Sequence, residues 1–322
     1  MIDVSIILVN WNTRDLLIQC LQALPPAMRD LDAEIIIVDN ASSDGSVQAL
    51  KSEFAYVHLI QNERNLGFAA ANNQALRIAA GQYALVLNTD TLPKPESIKR
   101  LVAFAETHPQ AGMVGALLLN PDGSFQASFA DFPSLRNETL LLLGLAKRLL
   151  GPHFPNHGPH ESREPRRCDW VQGACLLVRR DALPAIGLLD EGYFMYTEET
   201  DWCARCWKAG WEVWFTPQAR IIHYGGQSAA RQPAAKRRQL YASKARFFRK
   251  HRGTLASVCF RVIVQMTSTL KLIYWTLMTN IRTGEQRASA RINVQAYLTV
   301  LRWQNQPLSK PESGPTPTLP TG

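Results

Sequence analysis

Apolar residues along the first hundred positions come in short unbroken runs, and each run stops at a polar turn. Residues 4–9, 34–38, 57–60 and 83–87 read as strands of this kind. Between and after them, residues 15–24, 46–54, 69–80 and 95–107 place apolar positions at helical spacing. Pro25 and Pro26 are expected to stop the first helix, and Gly81 the third. The order β-α-β-α-β-α-β-α predicts an α/β fold with a mostly parallel, doubly wound sheet flanked by helices. Continuous rather than alternating apolar strands fit burial on both faces.

The middle of the chain is less regular. Residues 112–119 read as a further strand. Asn120-Pro121-Asp122-Gly123 is a strong turn signal, so residues 124–129 are expected to pair back as a hairpin. Residues 135–150 are leucine-rich, and 151–165 form a loop rich in Pro, His and Gly. Strand character returns over 170–179. Residues 202–209 read as a helix capped by Gly210, and 212–215 as a short strand.

From position 239 the pattern changes. Leu255, Val258, Cys259, Val262, Ile263, Met266, Leu270, Ile273, Tyr274, Leu277, Met278 and Ile281 recur at three- and four-residue steps, as in a long amphipathic helix. Arg261, Gln265 and Lys271 interrupt the apolar run. A helix lying in a membrane interface therefore fits better than a spanning one. A helix packed on the rest of the fold is the alternative. Residues 306–322 are rich in Pro, Ser and Thr and are expected to be disordered. The chain thus divides into an α/β part (1–230), a basic and amphipathic helical extension (231–305) and a tail (306–322).

Charge changes this picture more than bulk composition does. A chain of 322 residues, 46% hydrophobic and 19% charged, is globular and can bury a sizeable core. Its net charge of +8 is unevenly spread: no acid lies between Glu212 and Glu285, a stretch holding thirteen Lys or Arg. Such a block suits an anionic surface or a phosphate-bearing ligand, rather than nucleic acid here. A solvated basic helix face is the plainer alternative. Among six cysteines, Cys203 and Cys206 form one CxxC with no second pair to complete a zinc site. A core stripe in a reducing compartment is expected. Residues 2–9 are too short for a signal peptide and are interrupted by Asp3, so a cytoplasmic location is expected.

Candidate chemistry sits where strands end. Acids past the carboxyl ends of strands mark the ligand crevice of an open α/β sheet. Asp39 ends the second strand and can accept hydrogen bonds from a sugar hydroxyl or a base N–H. Asp90 follows the fourth strand, where a carboxylate can hold Mg²⁺ or Mn²⁺ against diphosphate oxygens. An Asx-turn is the structural alternative there. Glu198, Glu199 and Asp201 put three acids within four residues. Mutual repulsion raises at least one pKa, which suits a general base. Aromatic residues just before them suggest a sugar-contacting wall. His223 lies between a strand end and a glycine pair and can complete a metal shell.

These segments together resemble a known family. VSIILVNWNT (4–13), IIIVDNASSDGS (35–46), NLGFAAANN (65–73), LVLNTDT (85–91), GACLLVRR (173–180), LDEGYFMYTEETD (189–201) and HYGGQS (223–228) look like family 2 glycosyltransferases of the GT-A fold. Bacterial rhamnosyltransferase-type enzymes are the nearest in pattern. The resemblance spans roughly the first 230 residues and is more specific than any one motif. It implies inverting transfer from a nucleotide-diphospho-sugar, dTDP-rhamnose or a UDP-sugar. It places Asp39 on the base or ribose, with Asn10, Asn12, Arg64, Asn65, Gly67, Asn72, Asn88 and Gly173 in the segments around the nucleotide sugar. Asp90 becomes the metal-binding end of a DxD-like motif whose first acid is replaced by Asn88, and His223 a second metal ligand. Glu199 becomes the base, where many relatives have Asp, with Glu198 and Asp201 tuning and positioning it. The basic block and the amphipathic helix suggest a lipid-linked glycan acceptor at the inner face of the cytoplasmic membrane. A sugar nucleotidyltransferase is the main rival, but it lacks a fit for Asn10-Trp11-Asn12-Thr13 after the first strand, where a Gly-rich loop is expected. A dehydrogenase fails on the same absence of GxGxxG. A non-catalytic nucleotide-sugar-binding protein is opposed by the intact acids.

Overall fold

The computed structural model describes residues 1–225 and 233–304. The proposed boundary at 230 and the tail 306–322 lie outside the described residues.

The chain runs β1 (Val4–Asn10), α1 (Arg14–Ala27), β2 (Ala33–Asp39), α2 (Ser46–Glu53), β3 (His58–Gln61), α3 (Phe68–Ile78) and β4 (Tyr83–Asn88). Then come β5 (Thr91–Pro93), α4 (Ser97–Thr107), β6 (Ala111–Leu119), β7 (Phe125–Gln126), β8 (Phe129–Ala130), α5 (Leu135–Leu143) and α6 (Ala146–Leu150). The remainder is β9 (Arg166–Arg167), β10 (Trp170–Val171), β11 (Cys175–Arg179), α7 (Leu183–Ile186), α8 (Glu198–Lys208), β12 (Glu212–His223), α9 (Pro233–Ile281) and α10 (Gly284–Gln304).

The main sheet has the order β3-β2-β1-β4-β11-β6-β12-β5. β3, β2, β1 and β4 are parallel, as are β6 and β12, and β11 is antiparallel to both β4 and β6. Alternate residues of each central strand enter opposite cores. Ile6, Leu8, Ile35, Ile37, Leu85 and Leu87 pack in one cluster, and Ile7, Ile36, Val38, Ala84 and Val86 in the other. Both faces are buried, which is why these strands carry no polar alternation. Gly115 lies where β6 passes Val171; a Cβ there would stand 2.6 Å from the Val171 side chain.

Several boundaries differ from the sequence reading. Pro25 and Pro26 lie inside α1, in its last turn. Proline's fixed φ is helical, so the backbone can continue through both residues, but neither can donate to the carbonyl four residues before it, and the helix ends one residue later at Ala27. The leucine-rich stretch splits at Gly144, whose left-handed φ of 75° caps α5. β12 is twelve residues long rather than four. Pro217 and Gln218 break its apolar run, and the sheet absorbs them as a register shift between Thr216 and Arg220. The turn at 120–123 does fold back, β7 pairing antiparallel with β6. The hairpin is shorter than expected, because Phe129–Ala130 leaves to pair with β10.

α9 bends at Gly253, the one residue within it with a non-helical backbone. Its first half is fastened to the α/β body. Ser243 Oγ donates to the Met195 carbonyl at 2.9 Å, and Lys244 pairs with the buried Glu138. Its second half packs on α10 and α5 through Phe260, Val264, Val300 and Leu142.

Candidate active site

Strand register decides which polar residues meet. β1 pairs with β2 so that Asn10 lies opposite Asp39, and with β4 so that Val9 lies opposite Asn88. Asp39 is buried. Its Oδ1 accepts from Asn10 Nδ2 at 2.9 Å and its Oδ2 from the Ser42 amide at 2.9 Å. Thr13 Oγ1 donates to Asn10 Oδ1 and meets Thr89 Oγ1, both at 2.8 Å. Asn12, at a left-handed φ of 54°, accepts the Ser43 amide on Oδ1. Asn65 Oδ1 accepts from both Asn40 and the Gly67 amide. Gly67 has φ 87° and lies so close to Phe194 that a Cβ would stand 2.5 Å from its carbonyl oxygen. Only glycine fits that approach.

A cleft of about 400 Å³ opens at this sheet edge. Asn65, Asn88, Asp90, Gly173, Glu198, Glu199 and His223 line it, together with Trp11, Gln172, Tyr196 and Lys236. A more open depression of about 480 Å³ between Arg100, Arg163 and Arg220 holds none of the strand-end acids.

Asp90 and His223 meet because β5 and β12 pair. Thr91 lies opposite His223, and the Tyr224 amide donates to the Asp90 carbonyl at 2.9 Å. His223 Nε2 then stands 3.4 Å from Asp90 Oδ1. Two ligand atoms on an octahedral ion, each at about 2.1 Å, lie about 3 Å apart. The pair therefore fits one divalent ion, with its other positions left to phosphate and water. No group of three or more His, Cys, Asp or Glu side chains suited to a metal occurs among the described residues.

Glu198 and Glu199 reach the cleft through an unusual turn. Tyr196 and Thr197 both adopt left-handed φ, 70° and 72°, immediately before α8. Each such residue costs roughly 1–2 kcal/mol. The Ser243 hydrogen bond to Met195 braces the turn from α9. α8 starts at Glu198, four residues before the expected helix, so both glutamates fall in its first turn. One oxygen of each, Oε2, is buried without a hydrogen-bond partner. Burial pushes the Glu199 carboxyl up to about 7, against hydrogen bonds from backbone amides. Burial and the neighbouring Glu199 charge raise Glu198 well above the carboxylate range. Gly173 lies beside them, where a Cβ would stand in ordinary contact, 3.5 Å from Glu199 Cβ.

Seven expected residues do not line the cleft: Asn10, Asn12, Asp39 and Gly67 sit in the adjoining turns described above, and Asp201, Asn72 and Arg64 lie elsewhere. Asp201 is fully buried and does not line the cleft. It is held by Arg205 at 2.9 Å, Lys250 at 2.9 Å and His251 at 2.7 Å. Burial alone would raise its pKa; the His251 hydrogen bond and the charges of Arg205 and Lys250 outweigh that and hold it well below the usual range. Its partners tie α8 to α9. Asn72 is buried in α3, donating to the Phe68 carbonyl at 2.9 Å with its Oδ1 unpartnered. Arg64 is exposed and outside the lining. Thr13 and Thr89 join the site from within two of the motifs quoted above, and Gln172 joins it without any sequence signal, because a single polar residue in a turn carries no periodicity.

The cleft lies at the carboxyl ends of strands of an open α/β sheet, where enzymes of this architecture bind their ligands, with acids on two sides of it. Residues 5–183 match the model of "Glycosyl transferase family 2". The chain is a glycosyltransferase and belongs to that family. It is 35% identical over 219 residues to the N-acetylglucosaminyl-diphospho-decaprenol L-rhamnosyltransferase of Mycobacterium tuberculosis, covering 62% of this chain and 69% of that one. It is 22% identical over 232 residues to the dTDP-rhamnosyl transferase RfbF of Shigella flexneri, covering 71% of each. The rhamnosyltransferase WbbL of Escherichia coli K12 is 29% identical over 168 residues, 49% of this chain and 61% of that one.

Proposed function

We propose that the protein transfers L-rhamnose, with inversion, from a nucleotide-diphosphate donor to a hydroxyl of a lipid-linked glycan. dTDP-rhamnose is the first donor to test, with UDP-sugars as the alternative. The observation that carries this reading is the pair of unpartnered glutamate oxygens in the same cleft as the Asp90–His223 pair. The names of the relatives support rhamnose and a lipid-linked acceptor.

Glu199 takes the proton of the acceptor hydroxyl. The acceptor oxygen forms a bond to the anomeric carbon, and the bond from that carbon to the diphosphate oxygen breaks with its electron pair. The products are an inverted glycoside and a nucleoside diphosphate. Glu198, kept neutral by burial, offers a hydrogen bond without a second negative charge beside the base. A Mg²⁺ or Mn²⁺ ion held by Asp90 and His223 would offset charge on the leaving diphosphate. Asn65 lines the wall for the nucleotide, beside the hydrogen-bonded turns of Asn10, Asn12 and Asp39, and Asn88 and Gly173 line the wall for the sugar. Lys236 adds a positive charge at the cleft.

The acceptor side is a membrane surface. Leu255, Val258, Val262, Met266, Leu270, Ile273, Leu277 and Ile281 are all exposed along α9. α9 holds a stretch long and apolar enough to cross a membrane, with mean hydropathy 1.3. One exposed face among basic residues, with no acid from 213 to 284, fits a helix lying on anionic lipid. The inner face of the cytoplasmic membrane is the proposed location.

Purified protein incubated with Mn²⁺, a lipid-linked N-acetylglucosamine acceptor and a panel of nucleotide sugars should release nucleoside diphosphate with dTDP-rhamnose and form a glycoside of inverted configuration by NMR. Release with no sugar donor in the panel, or retention of configuration, would overturn the reading.

A further inference from the structure

The hairpin formed by the Asn120–Gly123 turn has no role in the chemistry described so far, yet its strand β7 touches His223. Gln126 Oε1 lies 2.7 Å from His223 Nδ1. Gln126 Nε2 lies 3.0 Å from the His223 backbone oxygen and 3.0 Å from Asn120 Oδ1.

Proton positions in this cluster follow from groups that can only accept. The Phe125 backbone carbonyl receives Asn120 Nδ2 at 3.1 Å. That contact fixes the Asn120 amide, with its nitrogen toward Phe125 and its oxygen toward Gln126. Asn120 Oδ1 and the His223 carbonyl both then require the Gln126 nitrogen. Gln126 is fixed in turn, and its oxygen faces the imidazole. A carbonyl oxygen at 2.7 Å needs a donor, so Nδ1 carries the proton. In the neutral ring the remaining lone pair is on Nε2, the atom 3.4 Å from Asp90 Oδ1. A lone pair facing a carboxylate oxygen leaves a gap that a cation relieves.

We propose that Gln126 is a positioning residue that locks His223 in the Nδ1–H tautomer and so presents Nε2 to a divalent ion. The proposal rests on reading Asp90 and His223 as the metal pair. Partners behind a ligating histidine typically set ligand orientation and basicity, and losing one costs about 10–100-fold in metal affinity. Here the partner comes from a two-residue strand whose own register is set by the Asn120–Gly123 turn.

Two measurements test this on the full chain. The first is the imidazole tautomer of metal-free protein, read by ¹H–¹⁵N long-range NMR with ¹⁵N-histidine at pH 8. His223 should show a protonated Nδ1 and a bare Nε2; the opposite tautomer overturns the proposal. The second is titration with Mn²⁺ alone, followed by the electron paramagnetic resonance of free Mn²⁺. Gln126→Leu should bind about 10–100-fold more weakly, and Gln126→Glu, which keeps an acceptor for Nδ1, should stay within a few-fold of wild type. Wild-type affinity in Gln126→Leu, alongside weakened binding in His223→Ala, sinks the role of Gln126 alone. Wild-type affinity in His223→Ala sinks the metal pair itself.

Discussion

His251 Nε2 meets Asp201 Oδ1 at 2.7 Å, in an interior where Asp201 has no exposed surface. The contact joins α9 to the helix that carries the two cleft glutamates. Lys250 doubles it by bridging Asp201 and Asp190, and Arg246 holds Asp190 at 2.8 Å. The basic block after position 239 is therefore spent partly against acids of the α/β body, the buried Asp201 and the partly buried Asp190. Asp201→Asn should lower unfolding free energy by about 3 kcal/mol at pH 7, the scale of breaking a buried ion pair from one side. The Asp201 pKa is depressed on folding, so its contribution is present above the unfolded value of about 3.9 and fades as pH falls below it. Urea denaturation at pH 7 and pH 3 should show the gap between wild type and variant shrinking at the lower pH. An equal gap at both would remove Asp201 from the ionic anchor.

Glu199 supplies the second prediction. A base works only when deprotonated, and burial has raised this group to about 7. Turnover at saturating donor should therefore climb with pH across neutrality and level off above it. Glu199→Gln should lose about 10²–10⁴-fold in kcat while keeping donor affinity by calorimetry. Loss of donor affinity with kcat unchanged would assign Glu199 to binding instead.

Asp90 gives the third. Asp90→Asn keeps the size of the side chain but removes the charge facing His223. Activity should fall about 100-fold, near 3 kcal/mol of leaving-group stabilisation. Chelation by EDTA should abolish wild-type activity and leave the residue of activity in the variant nearly unchanged. Full wild-type turnover in EDTA would exclude a metal at this pair.

The parallel half of the sheet was legible because its strands are buried on both faces, which leaves unbroken apolar runs such as Ile35 to Val38. Asp39, Asp90, Glu199 and His223 stood out in the sequence because each lies at an element boundary: Asp39 and His223 close strands, Asp90 lies between β4 and β5, and Glu199 falls in the first turn of α8. Gln126 did not, since its meaning depends on β7 reaching across to the end of β12, a contact 97 residues apart. Asp201 was misplaced for a related reason. Sequence puts it two residues from Glu199, but on a helix that step turns the side chain to the opposite face, here toward α9. The length of β12 was hidden by Pro217, which reads as a strand end and is a bulge.

The last prediction concerns the far half of α9. Met266, Leu270 and Leu277 are exposed by 63, 61 and 54% and make no use of the core cluster around Phe260 and Val264. Changing them should leave folding intact, whereas truncation at Gly253 would also strip Phe260 from Phe248, a tilted ring pair with centroids 4.9 Å apart. Burying a leucine side chain in an apolar phase contributes roughly 1.5–3 kcal/mol. Leu270→Glu with Leu277→Glu should then reduce co-sedimentation with vesicles rich in phosphatidylglycerol by about 100-fold or more. The melting temperature should move little, because both sites face outward. Binding of the wild type should also weaken as salt rises, through screening of the Lys and Arg beside the stripe. Should the double variant partition as fully as wild type, the stripe is not the lipid contact, and the exposed Leu145 and Leu149 of the α5–α6 region become the surface to change next.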